Sequence, residues 1–311
     1  MPDCAEPFFH ITRKDWRQTP AEEPRGYIDS GPLKELWFHT GTICNLSCPF
    51  CLEGSKPGDD RLNKITLEDV RPFVEEALEL GVEQFSFTGG EPFVIKDMVS
   101  ILDLCLEHRP CLVLTNATDP LKFRLPEITR LKEKAQPLSF RVSLDYPDPA
   151  KHDAGRGEGN FLLSLEMMRA LADLGFAVSV ARQRAEDEDT AALEKAYQKY
   201  FKKAGLPAAT RIVSFPDFST PGAAKDVPAI TENCMTTYHT VESRAKFMCH
   251  FSKMVIKKDG RLRVYACTLV DDDEDYDLGG SLREALRPRI MLKHHRCYAC
   301  FSQGASCSEI A

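Results

Sequence analysis

From residue 35 onward the chain alternates short apolar runs with longer stretches whose apolar residues recur every three or four positions. The runs at 35–39, 84–88, 111–115, 139–144, 177–181 and 211–215 have strand length, and the periodic stretches at 66–80, 97–107, 121–134, 160–174 and 189–204 predict helices. The first helix opens on Thr66 with Glu68 and Asp69 behind it and stops at Gly81, which is acceptable start and stop chemistry. Strand and helix repeating at about 30-residue intervals signal βαβ units and a parallel sheet. Six strands build either an open doubly wound sheet or an incomplete barrel, and periodicity alone does not choose.

The ends have a different texture. Residues 1–33 carry Pro2, Pro7, Pro20, Pro24 and Pro32 with no sustained period, and read as an irregular arm over the main domain. After residue 215, Pro216, Pro221, Gly222 and Pro228 punctuate the chain. Within the tail, 254–257 and 262–265 flank the turn Lys258-Asp259-Gly260 and predict a β-hairpin. The expected division is an arm (1–33), a main domain (34–216) and a small cysteine-rich domain (217–311).

Composition narrows the chemistry. With 311 residues the chain has ample core, and 40 Lys+Arg dispersed against 47 Asp+Glu exclude a dedicated nucleic-acid binder. No apolar run reaches the roughly 18 residues of a membrane span, and the first residues lack a secretory signal pattern. Twelve cysteines in that setting imply a reducing, cytoplasmic compartment and thiols kept for metal or redox work.

Cys44, Cys48 and Cys51 form a C-x3-C-x2-C loop directly after the first strand. Three thiolates in one loop can hold three irons of a cubane [4Fe–4S] cluster and leave the fourth iron open to a ligand. Structural zinc needs four closed ligands. The nearest further candidate is His39, a strand histidine of the packing type. Iron–sulfur is the favoured reading, with zinc and free thiols as alternatives. The loop, including Phe50 before its last cysteine, resembles the signature of the radical S-adenosylmethionine (radical SAM) enzymes.

Further motifs follow in that family's order. Gly89-Gly90-Glu91-Pro92 after the second strand resembles the GGEP motif that serves the amino group of SAM. Its glycines let the backbone approach a ligand, and exposed carbonyls with Glu91 can accept from an ammonium group. Thr115-Asn116-Ala117 stands where Thr-Asn-Gly is common, so Asn116 is an implied ligand. The stretch from Arg141 to Asp145 resembles "SLDG", with Tyr146 in place of the glycine. The resemblance implies that Ser143 meets the ribose or amino-acid portion of SAM and that Arg156 meets its carboxylate, a pairing suited to an always-charged guanidinium. A capping serine and a surface arginine are the plain alternatives. Arg182 is expected at the barrel mouth as a further contact, or on the surface. The resemblance covers 36–215 and implies an α/β fold, a partial (β/α)6 TIM-like barrel.

In the tail, Cys249 and Cys267 flank the hairpin, and Cys297 and Cys300 form a CxxC pair, a set that iron–sulfur or zinc can close. This arrangement resembles the twitch domain, a shortened SPASM domain, although Gly260 to Cys267 is longer than usual. It implies one auxiliary [4Fe–4S] cluster on Cys249, Cys267, Cys297 and Cys300, with zinc as the alternative. Cys234 and Cys307 are unassigned, Cys105 and Cys111 read as small core residues, and Cys4 as inert. The acidic run 271–275 reads as a solvated loop, or as the source of a general base. His294 and His295 read as residues behind the ligands or on the surface.

The resemblance implies reductive cleavage of SAM at the first cluster to a 5′-deoxyadenosyl radical, which abstracts a hydrogen atom from substrate. The auxiliary cluster then accepts an electron, shuttles electrons or binds substrate, and an electron donor such as flavodoxin or ferredoxin is implied. The expected substrate is a small polar metabolite that is oxidised, as in dehydrogenases with a twitch-type tail. The alternatives are a peptide or protein, as in sulfatase- and peptide-maturating enzymes, and a non-enzymatic metal-binding module with a decayed SAM site. No residue is singled out as the general base.

Overall fold

The computed structural model describes residues 13–184, 188–223, 225–304 and 308. Six strands follow the apolar runs: β1 (Glu35–His39), β2 (Gln84–Thr88), β3 (Cys111–Thr115), β4 (Leu138–Ser143), β5 (Ala177–Gln183) and β6 (Arg211–Phe215). They are parallel and lie side by side in unbroken chain order. A doubly wound sheet reverses its strand order at a switch point. Here nothing reverses, so right-handed crossovers carry every helix to one face and the sheet curls as a partial barrel. Leu36, Trp37 and Phe38 of β1 are wholly buried, as befits a central strand, whereas every residue of the edge strand β6 keeps some exposure.

The helices between them are α1 (Leu67–Glu79), α2 (Met98–Cys105), α3 (Asp119–Ile128), α4 (Pro149–Arg156), α5 (Asn160–Asp173) and α6 (Thr190–Ala204). α1 starts in a capping box, with the Asp69 N–H donating to Thr66 Oγ1 (3.3 Å) and the Thr66 N–H donating to Asp69 Oδ2 (2.8 Å). Its buried residues Val70, Phe73, Val74 and Ala77 form one stripe against the sheet. α3 begins earlier than the periodicity indicates and tightens after Ile128 into a 3-10 turn, Thr129–Glu133. α4 has too few apolar residues to show a period. Its start signal is nonetheless in the sequence: Asp148 caps the Lys151 N–H (3.0 Å) and Pro149 opens the first turn.

In the tail, β7 (Ser252–Lys258) and β8 (Arg261–Tyr265) form the expected hairpin, with Asp259 (φ +50°) and Gly260 (φ +73°) in the left-handed turn. β7 also pairs in parallel with β1, from Glu35 opposite Ser252 to Phe38 opposite Val255. The barrel sheet is therefore eight-stranded, and the hairpin's hydrogen bonds tie the tail to the strand that leads into the first cysteine loop. The described part of the arm lies on the tail and not over the barrel. Tyr27–Ile28 pairs with Ile290–Met291, and Trp16 packs edge-on against Tyr276 at 5.1 Å. Apolar contact and unpaired strand edges decide that placement, and an aperiodic segment advertises neither.

Candidate active site

The loop leaving β1 carries Cys44, Cys48 and Cys51 into a cavity of about 180 Å³ at the C-terminal ends of the strands. A tight turn closes the last pair, the Cys51 N–H donating to Cys48 O (3.1 Å). Cys44 is buried, and its sulfur receives the Leu46 N–H (3.4 Å) and the Asn116 Nδ2–H (3.8 Å). Burial pushes its thiol up to about 12; Cys48 and Cys51 are raised by the same cause. A catalytic nucleophile has the opposite shift. Thiols this reluctant to ionise lose their protons to a cation, and the N–H donors on Cys44 suit a metal-bound sulfur.

Gly89, Gly90, Asn116, Ser143, Arg156, Arg182 and Phe50 line the same cavity. The glycines act on the protein itself. A Cβ on Gly90 would stand 2.1 Å from Ile43 O, and one on Gly89, at φ +137°, 2.7 Å from Thr40 Oγ1. They let the motif pack on the segment entering the cysteine loop, through Gly90 N–H to Gly41 O (2.9 Å) and Glu91 N–H to Ile43 O (3.1 Å).

Glu91 and Pro92 correct the sequence expectation. Both are buried, and neither lines the cavity. The Glu91 carboxylate accepts from the Asn116 N–H (2.8 Å), the Thr115 hydroxyl (2.8 Å) and the Phe93 N–H (3.2 Å). Its acceptors serve the end of β3 and the turn that Pro92 opens, so it braces the site from behind. Burial pushes Glu91 up to about 7 despite these donors.

Asn116 is locked by its neighbours: Oδ1 accepts from the Thr118 hydroxyl (2.6 Å), and Nδ2 donates to Asn45 Oδ1 (3.0 Å). Ala117 adopts φ +52°, which explains why a glycine is common there and marks a local strain. Arg156 ends α4 beside the cavity, its Nε donating to Asp145 Oδ2 (2.5 Å) and its guanidinium 5.5 Å from the Phe50 ring centre. Arg182 reaches the cavity wall but is paired with Glu188 (2.8 Å) and almost wholly buried.

The four tail cysteines Cys249, Cys267, Cys297 and Cys300 line one small apolar pocket between the helical turn Met248–Phe251 that leads into β7, the segment after β8 and a helix, α7 (Cys297–Gln303). The Leu269 N–H points at Cys267 Sγ (3.4 Å), and the Tyr276 hydroxyl lies 3.6 Å from Cys297 Sγ. Among the described residues no three cysteine sulfurs fall mutually within 4.8 Å. Four thiols lining one pocket can close around zinc or around a [4Fe–4S] cluster. Lys253 is fully buried beside the pocket, donating to Cys249 O (2.8 Å) and Ser252 O (3.1 Å). Burial lowers it to about 8, against the pull of the Cys249 and Cys267 sulfurs.

Cys234 sits apart, bonded to Thr231 Oγ1 (3.2 Å) at the start of a short helix. Cys105 and Cys111 are core residues of the barrel. Cys4 and Cys307 lie outside the described residues.

The acidic run is not a solvated loop. Asp271 is buried and paired with Arg61 (2.9 Å), Asp272 faces His294 (3.3 Å), and Asp275 pairs with Arg13 (2.7 Å). Asp271 joins His39 and Glu53 in a compact buried cluster. The Gly41 N–H donates to His39 Nδ1 (3.2 Å), leaving the Nε2 proton to face Glu53 Oε2 at 3.0 Å. Burial and the Glu53 charge raise Asp271, opposed by Arg61. Nothing local in sequence links these positions, since the fold alone brings Asp271 to the loop after Cys51.

Outward from the cavity runs a groove of about 660 Å³, past Phe218, Tyr298 and Tyr146, with Arg184 and Lys225 set among Asp217 and Asp226.

Residues 38–182 match the family model described as the Radical SAM superfamily. The chain is 32% identical over 140 residues to the antilisterial bacteriocin subtilosin biosynthesis protein AlbA of Bacillus subtilis, covering 44% of this chain and 30% of that protein. It is 29% identical over 139 residues to the GTP 3′,8-cyclase of Tolumonas auensis, covering 43% and 39%. The chain thus matches well under half the length of these curated relatives. In fold it is similar to Streptococcus suis SuiB in its crystal structure with the precursor peptide SuiA, with a TM-score of 0.59 at 16% identity over 84% of this chain and 66% of that one.

Proposed function

We infer that this chain, whose residues 38–182 are a radical SAM domain, reductively cleaves S-adenosylmethionine and removes a hydrogen atom from a polar substrate. The observation that carries this reading is the meeting of Cys44, Cys48 and Cys51 with Gly89, Gly90, Asn116, Ser143 and Arg156 around one cavity. When bound, a [4Fe–4S] cluster and SAM supply an electron and a 5′-deoxyadenosyl radical. The chain's own part is positional. Arg156, held by Asp145, receives the carboxylate of SAM, the main chain at 88–90 its ammonium, and Ser143 its ribose side. Asn116 orients and hydrogen-bonds Cys44. In this reading 34–216 is the catalytic barrel. The tail, 217–311, holds an auxiliary [4Fe–4S] centre on Cys249, Cys267, Cys297 and Cys300 and exchanges electrons with the site, fed by a donor of flavodoxin or ferredoxin type.

With the inner cavity given to cluster and SAM, the groove remains for substrate, and its mixed-sign walls suit a zwitterionic one. Oxidation of a small polar metabolite is the first reading. A peptide segment is the second, supported by the extent of the groove and the likeness to AlbA. No helix among the described residues is long and apolar enough to cross a membrane. The test is anaerobic reconstitution with a strong reductant and SAM. Methionine and 5′-deoxyadenosine are expected, with deuterium passing into the latter from a labelled substrate. A fully loaded, reduced protein that leaves SAM intact would overturn the reading and revive the plain metal-binding module.

A further inference from the structure

One side chain spans the two cysteine pockets. Arg296, immediately before Cys297, is only 1% exposed. Its guanidinium donates to four main-chain carbonyls drawn from three segments: Nη2 to Leu52 O (2.9 Å) and Ser219 O (2.8 Å), Nε to Phe218 O (3.0 Å), and Nη1 to Leu269 O (3.1 Å). Leu52 is the residue after Cys51. Leu269 is two residues after Cys267, and its N–H points at the Cys267 sulfur. The guanidinium thus holds the loop of the first cysteine set and both the Cys267 and Cys297 sides of the second.

These partners are all neutral oxygens, and burying a cation among them is costly unless negative charge lies close. Glu53 and Asp272 act on it only through space. Those two carboxylates supply part of that charge, and anionic thiolate centres on Cys51 and Cys297, the neighbours of Leu52 and Arg296, would add to it. Arginine suits this post because its planar fork serves several acceptors at once, whereas an ammonium is a single point.

We propose that Arg296 is a positioning residue that couples the two cysteine centres, fixing their separation and offering a bonded route from Cys51 through the Leu52 carbonyl and the guanidinium to Cys297. The inference rests on the reading that both sets hold iron–sulfur clusters. An electron using this route leaves one cluster as that cluster is oxidised and enters the other as it is reduced, with no proton or heavy atom transferred.

The test compares the reconstituted full chain with its Arg296→Met and Arg296→Lys variants by iron and sulfide content and by the magnetic interaction between the two reduced clusters in electron paramagnetic resonance. The parent is expected to hold about eight irons, as two cubanes do, and to show that interaction; about eight irons without it overturns this proposal. In Arg296→Met, with both clusters retained, the interaction is expected to be weakened and broadened because the separation is no longer fixed, and in Arg296→Lys to be partly restored. If the Met variant does not fold, the Lys variant carries the comparison through a weakened interaction. Parent-like interaction in a variant that holds both clusters overturns this proposal alone. About four irons in the unsubstituted parent overturns the two-cluster reading beneath it, and is read without any variant.

Discussion

Gly90→Ala separates two meanings of a glycine in the GGEP segment: room for a ligand, or room for the protein. The added methyl would stand 2.1 Å from Ile43 O, 2.5 Å from Ile43 C and 2.8 Å from Thr42 O, all main-chain atoms of the segment entering the cysteine loop. No rotamer relieves such a contact, so the strand end and the loop must part by roughly 1 Å, at the upper end of the about 1–3 kcal/mol usual for overpacking. Parting them also strains the bonds from Gly90 N–H to Gly41 O and from Glu91 N–H to Ile43 O, each worth about 1 kcal/mol. The sum is about 3–5 kcal/mol, or roughly 6–10 °C in melting temperature at about 2 °C per kcal/mol for a chain of this size. The assay is thermal unfolding of the metal-free protein without SAM, beside Gly280→Ala, where a methyl meets nothing within 4 Å at an ordinary φ. The control should stay within about 0.5 kcal/mol of the parent. An unchanged melting temperature for Gly90→Ala, with only SAM affinity lost, would refute the packing argument.

Replacing Cys44, Cys48 and Cys51 together by Ala should remove about four of eight irons and abolish SAM cleavage; about four irons accompanied by zinc in the parent would contradict an iron–sulfur tail. Arg156→Met should weaken SAM binding about 10- to 100-fold, the loss of a charged hydrogen bond of about 1.5–3 kcal/mol; an unchanged Kd by anaerobic equilibrium binding would remove Arg156 from the site. Glu91 has its folded-state pKa raised by burial to about 7. Its contribution to stability is therefore full below about pH 4.5 and is lost as pH rises toward 7, by up to about 3 kcal/mol. Glu91→Gln should make the slope of stability against pH over that window more positive than the parent's, measured by denaturant titration of each. Identical slopes would contradict the raised pKa.

Much of the fold was legible because its signals are local. Each strand of the parallel sheet is a short apolar run whose residues need burial wherever the chain goes, and β1, β2, β3 and β6 fall where those runs lie. Thr66 and Asp69 satisfy the first N–H groups of α1 by themselves. α4 was missed because eight residues with few apolar positions carry no period, although Asp148 and Pro149 announced its start. Cys44, Cys48 and Cys51 were readable as a set because one loop holds all three, and no fold is needed to keep them together.

What the tertiary structure decided depends on separations that a linear pattern does not encode. Monotonic strand order makes this sheet a partial barrel. The pairing of β7 with β1 joins the tail to the barrel, because a strand edge binds whichever backbone reaches it. The direction of Glu91, away from the cavity and toward the end of β3, follows from where donors happen to lie. Asp271, read as solvated, is buried because the fold sets Arg61 and His39 against it, and a carboxylate tolerates burial only beside such partners. Residue types and their spacing fixed the chemistry this chain can attempt. The packed chain alone decided which side chains face the cavity and which hold its walls, because burial and hydrogen bonding are settled between segments far apart in sequence.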